Sequence, residues 1–166
     1  MKAFLSKCSL FAKTASLCLL GGLALASDDR SETNAALRAL HQHQAELAEL
    51  GEERAEHDEI AQLADTLRQD HAILDEWLAE ADGGEASVET GDIAHDAEAY
   101  AALQQQEGEA FDAAYLAYQE RLHTAALDYL ERQRSEEESE LTEFDNHLRV
   151  THEALRKHLA LIQALR

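Results

Sequence analysis

Proline is absent from this 166-residue chain, and glycine (seven), cysteine (two) and aromatic residues (5%) are scarce. The lack of proline with so little glycine excludes collagen-like and Pro/Gly-rich disordered chains. Two cysteines, Cys8 and Cys18, are too few for a disulfide-stapled scaffold. Positive charge is also in short supply, with 14 Lys and Arg against 34 Asp and Glu, a net charge of −20. A nucleic-acid binder needs a basic face, so nucleic acid is excluded as a partner. No Gly-rich phosphate loop and no nucleophile-elbow pattern is present. A charge this large opposes compaction through self-repulsion, which salt screens. It is read here as a solvated acidic surface suited to a salty exterior.

Residues 1–26 have the form of a secretory signal peptide. Lys2 and Lys7 supply the positive start, the stretch from Ala15 to Leu23 is apolar, and Ala24-Leu25-Ala26 is an A-x-A cleavage pattern before Ser27. The apolar stretch is shorter than the roughly 20 residues a membrane span needs. Leu17 before Cys18 is too large for a lipoprotein processing site. The expectation is a periplasmic protein of residues 27–166, not integral to the membrane after cleavage. That part carries both signs of the histidine question: all nine histidines, no cysteine and a charge of −23.

Abundant Ala, Leu, Glu, Gln and Arg favour helix, and the apolar spacing agrees. Helix A is expected over about Thr33 to Glu56, with the seam Ala36, Leu40, His43, Leu47, Leu50. Helix B is expected from Asp58, as N-cap, to Ala81, with the seam Ile60, Ala64, Leu67, His71, Leu74, Leu78, and Gly83-Gly84 ending it. Ile93, Ala97, Tyr100 and Leu103 predict a short helix that breaks near Gly108. Helix C is expected over Glu109 to Arg134, with the seam Phe111, Tyr115, Tyr118, Leu122, Ala125, Tyr129. Ser135 and Glu138 have capping-box spacing and open helix D. Its seam is Leu141, Phe144, Leu148, Thr151, Leu155, His158, Ile162, and it ends near Ala164. Four amphipathic helices bury their stripes most simply as an all-α four-helix bundle, with the short extra helix in the B–C connection. Whether B and C run parallel is left open. Trp77 is expected to cap the core.

His71 and His158 fall within seams, and His123 lies beside one. Counting from the A–B turn at His57 places His43 or Gln44 opposite His71. Counting from a C–D turn near Ser135 pairs His123 with His147 and Asp112 with His158. With B and C parallel, a central cluster of His43, His71, His123 and His147 follows. His41, His57, His95 and His152 are expected at the surface. Imidazole with carboxylate suits iron, zinc, copper or nickel, so the candidate metal ligands are His71, Asp112, His123, His147 and His158. A carboxylate di-iron centre needs two Glu-x-x-His pairs. Only Glu120-x-x-His123 is present, because positions 144, 149 and 155 are Phe, Arg and Leu.

Gln69-Asp70-His71, the run Gly108-Glu109-Ala110-Phe111-Asp112-Ala113-Ala114-Tyr115-Leu116 followed by His123, and Arg156-Lys157-His158-Leu159, together with the N-terminal signal, resemble the bacterial envelope family catalogued as domain of unknown function 4142. The resemblance spans roughly residues 33–165. It implies a ferritin-like four-helix fold and a periplasmic or outer-membrane setting, and it implies no particular activity. Gln44 stands where that family usually has Glu, which removes a helix A carboxylate ligand. Three functional readings follow. The first is a non-enzymatic envelope or stress-related scaffold that binds an envelope protein partner. The alternative is a metal-binding protein with a His/carboxylate site for iron, zinc or copper. The third, a di-iron redox enzyme, lacks its second Glu-x-x-His pair.

Overall fold

The computed structural model describes residues 21–81, 96–133 and 142–166. They form five helices: α1 (Gly21–Arg54), α2 (Asp58–Ala81), the short α3 (Ala97–Leu103), α4 (Gly108–Gln133) and α5 (Glu143–Ala164). No strand occurs among the described residues. None of these helices is long and apolar enough to cross a membrane. α1 begins twelve residues before the expected Thr33 and runs through Ala24-Leu25-Ala26. Once nucleated, a helix propagates readily through Ala, Leu, Asp and Arg. The other boundaries of α2, α3 and α4 fall close to expectation. Ile93 and His95 lie outside the described residues.

The start of the last helix needs correction. α5 opens at Glu143, and Thr142 is its N-cap in an extended conformation. The Thr142 hydroxyl accepts from the Asp145 amide, and the Asp145 carboxylate accepts from the Thr142 amide, a complete capping box. The expected box at Ser135 lies outside the described residues. At the head of α2, the His57 carbonyl accepts the first helical bond, from Ala61. Asp58 therefore sits within the first turn, where its charge faces the positive helix end.

α1 packs on α2 and α4, and α5 packs on the same two helices, so α2 and α4 are diagonal. Contacts fix the directions. Thr33 bonds Gln133, while Gly51 faces Tyr115, so α1 and α4 are antiparallel. Asp70 bonds His158, while Trp77 meets His147, so α2 and α5 are antiparallel. α1 and α2 form a hairpin, as Arg38 and Gln42 both reach Asp75. It follows that α2 and α4 run parallel. α3 precedes α4 in the chain and packs on it. Leu103 joins the core, and Arg54 holds the carbonyls of Gln104 and Gln106.

The core has two apolar halves. One gathers Leu47, Leu63, Leu67, Phe111, Tyr115, Leu122 and Ile162. The other gathers Leu37, Leu40, Leu78, Ala126, Leu130, Leu148 and Leu155. Where the halves meet, every long helix carries buried polar residues: His41 and Gln44 on α1, His71 on α2 (with Leu74 beside it), Gln119 and His123 on α4, His158 on α5. The seams drift to make this belt. On α1 the innermost column is Leu37, His41, Gln44, Ala48, Gly51, while the expected His43 is only half-buried. On α4 the upper seam passes from Ala125 and Tyr129 to Ala126 and Leu130. Trp77 does not cap the core; it is 42% exposed, with its ring edge against His147.

Candidate metal centre

A helix residue reaches the belt only if its stripe points inward at the level where the two apolar halves meet. His71, His123 and His158 all do so, one from each of three helices, and all are fully buried. One nitrogen of each lies within 4.8 Å of the others. Their ring centroids are 5.6 Å (His71–His123), 5.2 Å (His71–His158) and 5.5 Å (His123–His158) apart. Metal–imidazole bonds of ~2.0–2.1 Å require the three nitrogens to close to roughly 3.3–3.6 Å.

The second nitrogen of each ring is held by the protein. His123 Nδ1–H donates to the Gln119 carbonyl one turn back, at 2.9 Å. His158 Nε2–H donates to the Asp70 carboxylate at 2.9 Å. The Nδ1 atoms of His71 and His41 lie 2.8 Å apart, so one donates to the other. What is left is His71 Nε2, His123 Nε2 and His158 Nδ1, each buried and without a hydrogen-bond partner among the described residues. A carbonyl and a carboxylate can only accept, so Nε2 of His123 and Nδ1 of neutral His158 are lone pairs. If His71 donates from Nδ1, its Nε2 is a third. Such outer partners fix tautomer and ring orientation in metal-ligating histidines.

Electrostatics favours the neutral, ligating form. Burial holds the His123 pKa down to about 3 and that of His41 to about 4. It takes His71 well below its ordinary value, aided by the neighbouring histidines. Burial also lowers His158, against the raising effect of its bond to Asp70. No proton therefore competes for these lone pairs at neutral pH.

Two of the expected ligands lie elsewhere. His147 and Asp112 are each eleven residues from the belt along their own helices, about 16 Å. His147 is against Trp77. Asp112 is buried at the α1–α2 turn, where its carboxylate accepts from the Glu56 and His57 amides and from His57 Nδ1 at 2.7 Å. That bond raises the pKa of His57, whose imidazole is about half exposed. The error came from the C–D turn. His123 faces His158, so α4 and α5 reflect about residue 140 and not about Ser135. Shifting the mirror by about five and a half residues moves the partner of His123 from His147 to His158. Glu120, half of the sole Glu-x-x-His pair, turns outward to Gln163 and Arg166.

His41, expected at the surface, is fully buried against His71, the place expected for His43 or Gln44. His43 instead meets Tyr118 and Tyr100. The 4-3-4-3 spacing Leu37–His41–Gln44–Ala48–Gly51 carried that signal. It competes in the sequence with an equally regular column through Leu40 and Leu47.

Fold and site together define an all-helical bundle whose core holds a histidine cluster able to chelate a metal ion. The chain matches the family described as domain of unknown function (DUF4142) over residues 22–165, and it belongs to that family. No curated protein matches it, and no solved structure does.

Proposed function

We propose that this protein binds one transition-metal ion at the middle of its bundle through His71, His123 and His158. The observation that carries the reading is the set of three buried nitrogens left without partners while the opposite nitrogens are engaged. An unsatisfied buried polar atom costs about 1–3 kcal/mol, and leucines here would join the two apolar halves into one. Stability alone therefore gives no reason for the layer, whereas a metal ion completes it. The donor atoms suit iron, zinc, copper or nickel. Among the described residues no carboxylate belongs to the cluster, which sets this centre apart from di-iron carboxylate sites. An envelope location, supported by the Lys-rich start, apolar stretch and A-x-A pattern of residues 1–26, belongs to the same proposal. A mature protein beginning at Ser27 in the periplasmic fraction tests it.

Calorimetric titration of the tag-free protein with Fe(II), Zn(II), Cu(II) and Ni(II) tests the centre. The expected result is one equivalent of at least one ion, lost in His71→Ala/His123→Ala. Binding that survives the double substitution would assign the ion to the acidic surface. No binding by any ion would remove the proposal.

A further inference from the structure

We propose that the ion this centre is built for is cuprous copper, Cu(I), held by His71, His123 and His158 in a three-coordinate site. This rests on the metal-binding reading above and adds the charge and identity of the ion.

The number of donors is the first argument. Three imidazole nitrogens converge. His41, the fourth ring of the belt, is outside that group and has its Nδ1 engaged with His71. The two buried glutamines are on the wrong side of His123. The Gln44 amide is 3.5 Å from Nδ1, and the Gln119 carbonyl is on that same nitrogen. The Gln119 side chain turns a helical turn away, to the Tyr115 hydroxyl. Among the described residues no hydrogen bond joins either side chain to the free Nε2. Zinc sites complete four ligands, with water in the open place of catalytic ones; square-planar Cu(II) likewise needs four, and tetragonal Cu(II) and octahedral ions need more. A trigonal cuprous ion needs three.

Charge is the second argument. All three donors are neutral, and apolar residues close the layer from both ends. The cost of taking an ion out of water rises with the square of its charge, so a divalent ion costs on the order of four times as much as a monovalent one. One carboxylate, Asp70, lies behind the cluster, on His158. The same oxygen also meets the exposed Lys157 ammonium at 3.9 Å, so Asp70 offsets at most one positive charge of an ion. A divalent ion would leave at least one more uncompensated charge in the core than Cu(I).

The experiment uses the full chain carrying Cys8→Ser and Cys18→Ser, because thiolates would themselves take cuprous ion. The protein competes anaerobically with bicinchoninate for Cu(I), and in parallel with a chromogenic chelator for Zn(II). The expected outcome is one equivalent of Cu(I), bound more than about tenfold tighter than Zn(II), a difference of one decade in Kd. X-ray absorption should show three nitrogen neighbours and the edge feature of three-coordinate Cu(I). His123→Ala should abolish binding. Asp70→Asn, at a partly exposed position, should leave the circular dichroism of the helices unchanged and weaken Cu(I) about 10- to 100-fold. Zn(II) bound as tightly as Cu(I), or a fourth light-atom ligand on Cu(I), overturns this inference and leaves the metal centre standing. Failure of both ions, with the helices intact, also overturns this inference, and the Fe(II) and Ni(II) titrations then decide whether the metal centre stands.

Discussion

His123 donates from Nδ1 to a carbonyl of its own helix, while His158 donates from Nε2 to a carboxylate on another. The two rings therefore carry opposite tautomers, each set by the group behind it. Long-range 15N–1H correlation spectra of the metal-free protein should show this: a protonated Nδ1 in His123 and a protonated Nε2 in His158 at pH 7. Two Nε2–H rings would break the convergence of lone pairs. Metal addition should leave both tautomers unchanged and fix His71 with its proton on Nδ1, because its Nε2 is then coordinated. His41 then accepts from His71 through Nδ1.

At the scale of the helices, two features can be tested without touching the centre. A Cβ built on Gly51 of α1 would lie 2.6 Å from Tyr115 Cζ and 2.8 Å from its Cε2 and hydroxyl. That ring is fully buried, stacked on Phe111 and bonded to Gln119 through its hydroxyl, so it has nowhere to swing. Alanine normally gains about 1 kcal/mol over glycine inside a helix. Here overpacking of about 1–3 kcal/mol opposes it. Gly51→Ala is expected to lower the urea midpoint, and a raised midpoint would show that α1 and α4 can part at no cost. At the head of α5, Thr142→Ala removes the capping box and should cost about 1 kcal/mol, read as a lower melting temperature with metal affinity preserved. A loss of metal binding on that substitution would mean that the cap sets the level of His158, four turns away.

Across the whole molecule, the belt makes the metal-free protein sensitive to acid. His41, His71, His123 and His158 all have folded-state pKa values below the ordinary 6.5. Below that pH the unfolded chain binds protons that the folded one refuses, so stability falls as pH falls. The loss should begin near pH 6.5 and continue to the folded pKa values of about 4 for His41 and about 3 for His123. His57 has the opposite sign, since its raised pKa adds stability below 6.5 that is lost as pH rises. Four buried groups outweigh one exposed group, so chemical denaturation from pH 8 to pH 5 should show a net decline. A flat profile would mean that the belt is hydrated and its histidines titrate freely. Saturating metal should raise the melting temperature at pH 7 in proportion to the logarithm of its free concentration.

The helices and the stripes that bury them were legible in the sequence. Apolar residues recur at helical spacing, no proline interrupts them, and Asp58–Ala81 falls where its pattern places it. Three of the five ligand candidates, His71, His123 and His158, were legible for the same reason: each interrupts or borders an apolar stripe. Asp112 and His147 share the right chemistry but sit about three turns away, because residue type and stripe say nothing of height. Height along the bundle depends on the register of each helix pair, and His123 of α4 meets His158 of α5, with Thr142 and Asp145 marking where α5 begins. Sequence by itself thus determined the helical class, the inward stripe of α2 and the family. Only the tertiary structure decided that α2 and α4 run parallel, that His41 and not His43 turns inward, and which three imidazoles meet. Those are relations between helices, set by direction and register, and no single helix encodes them.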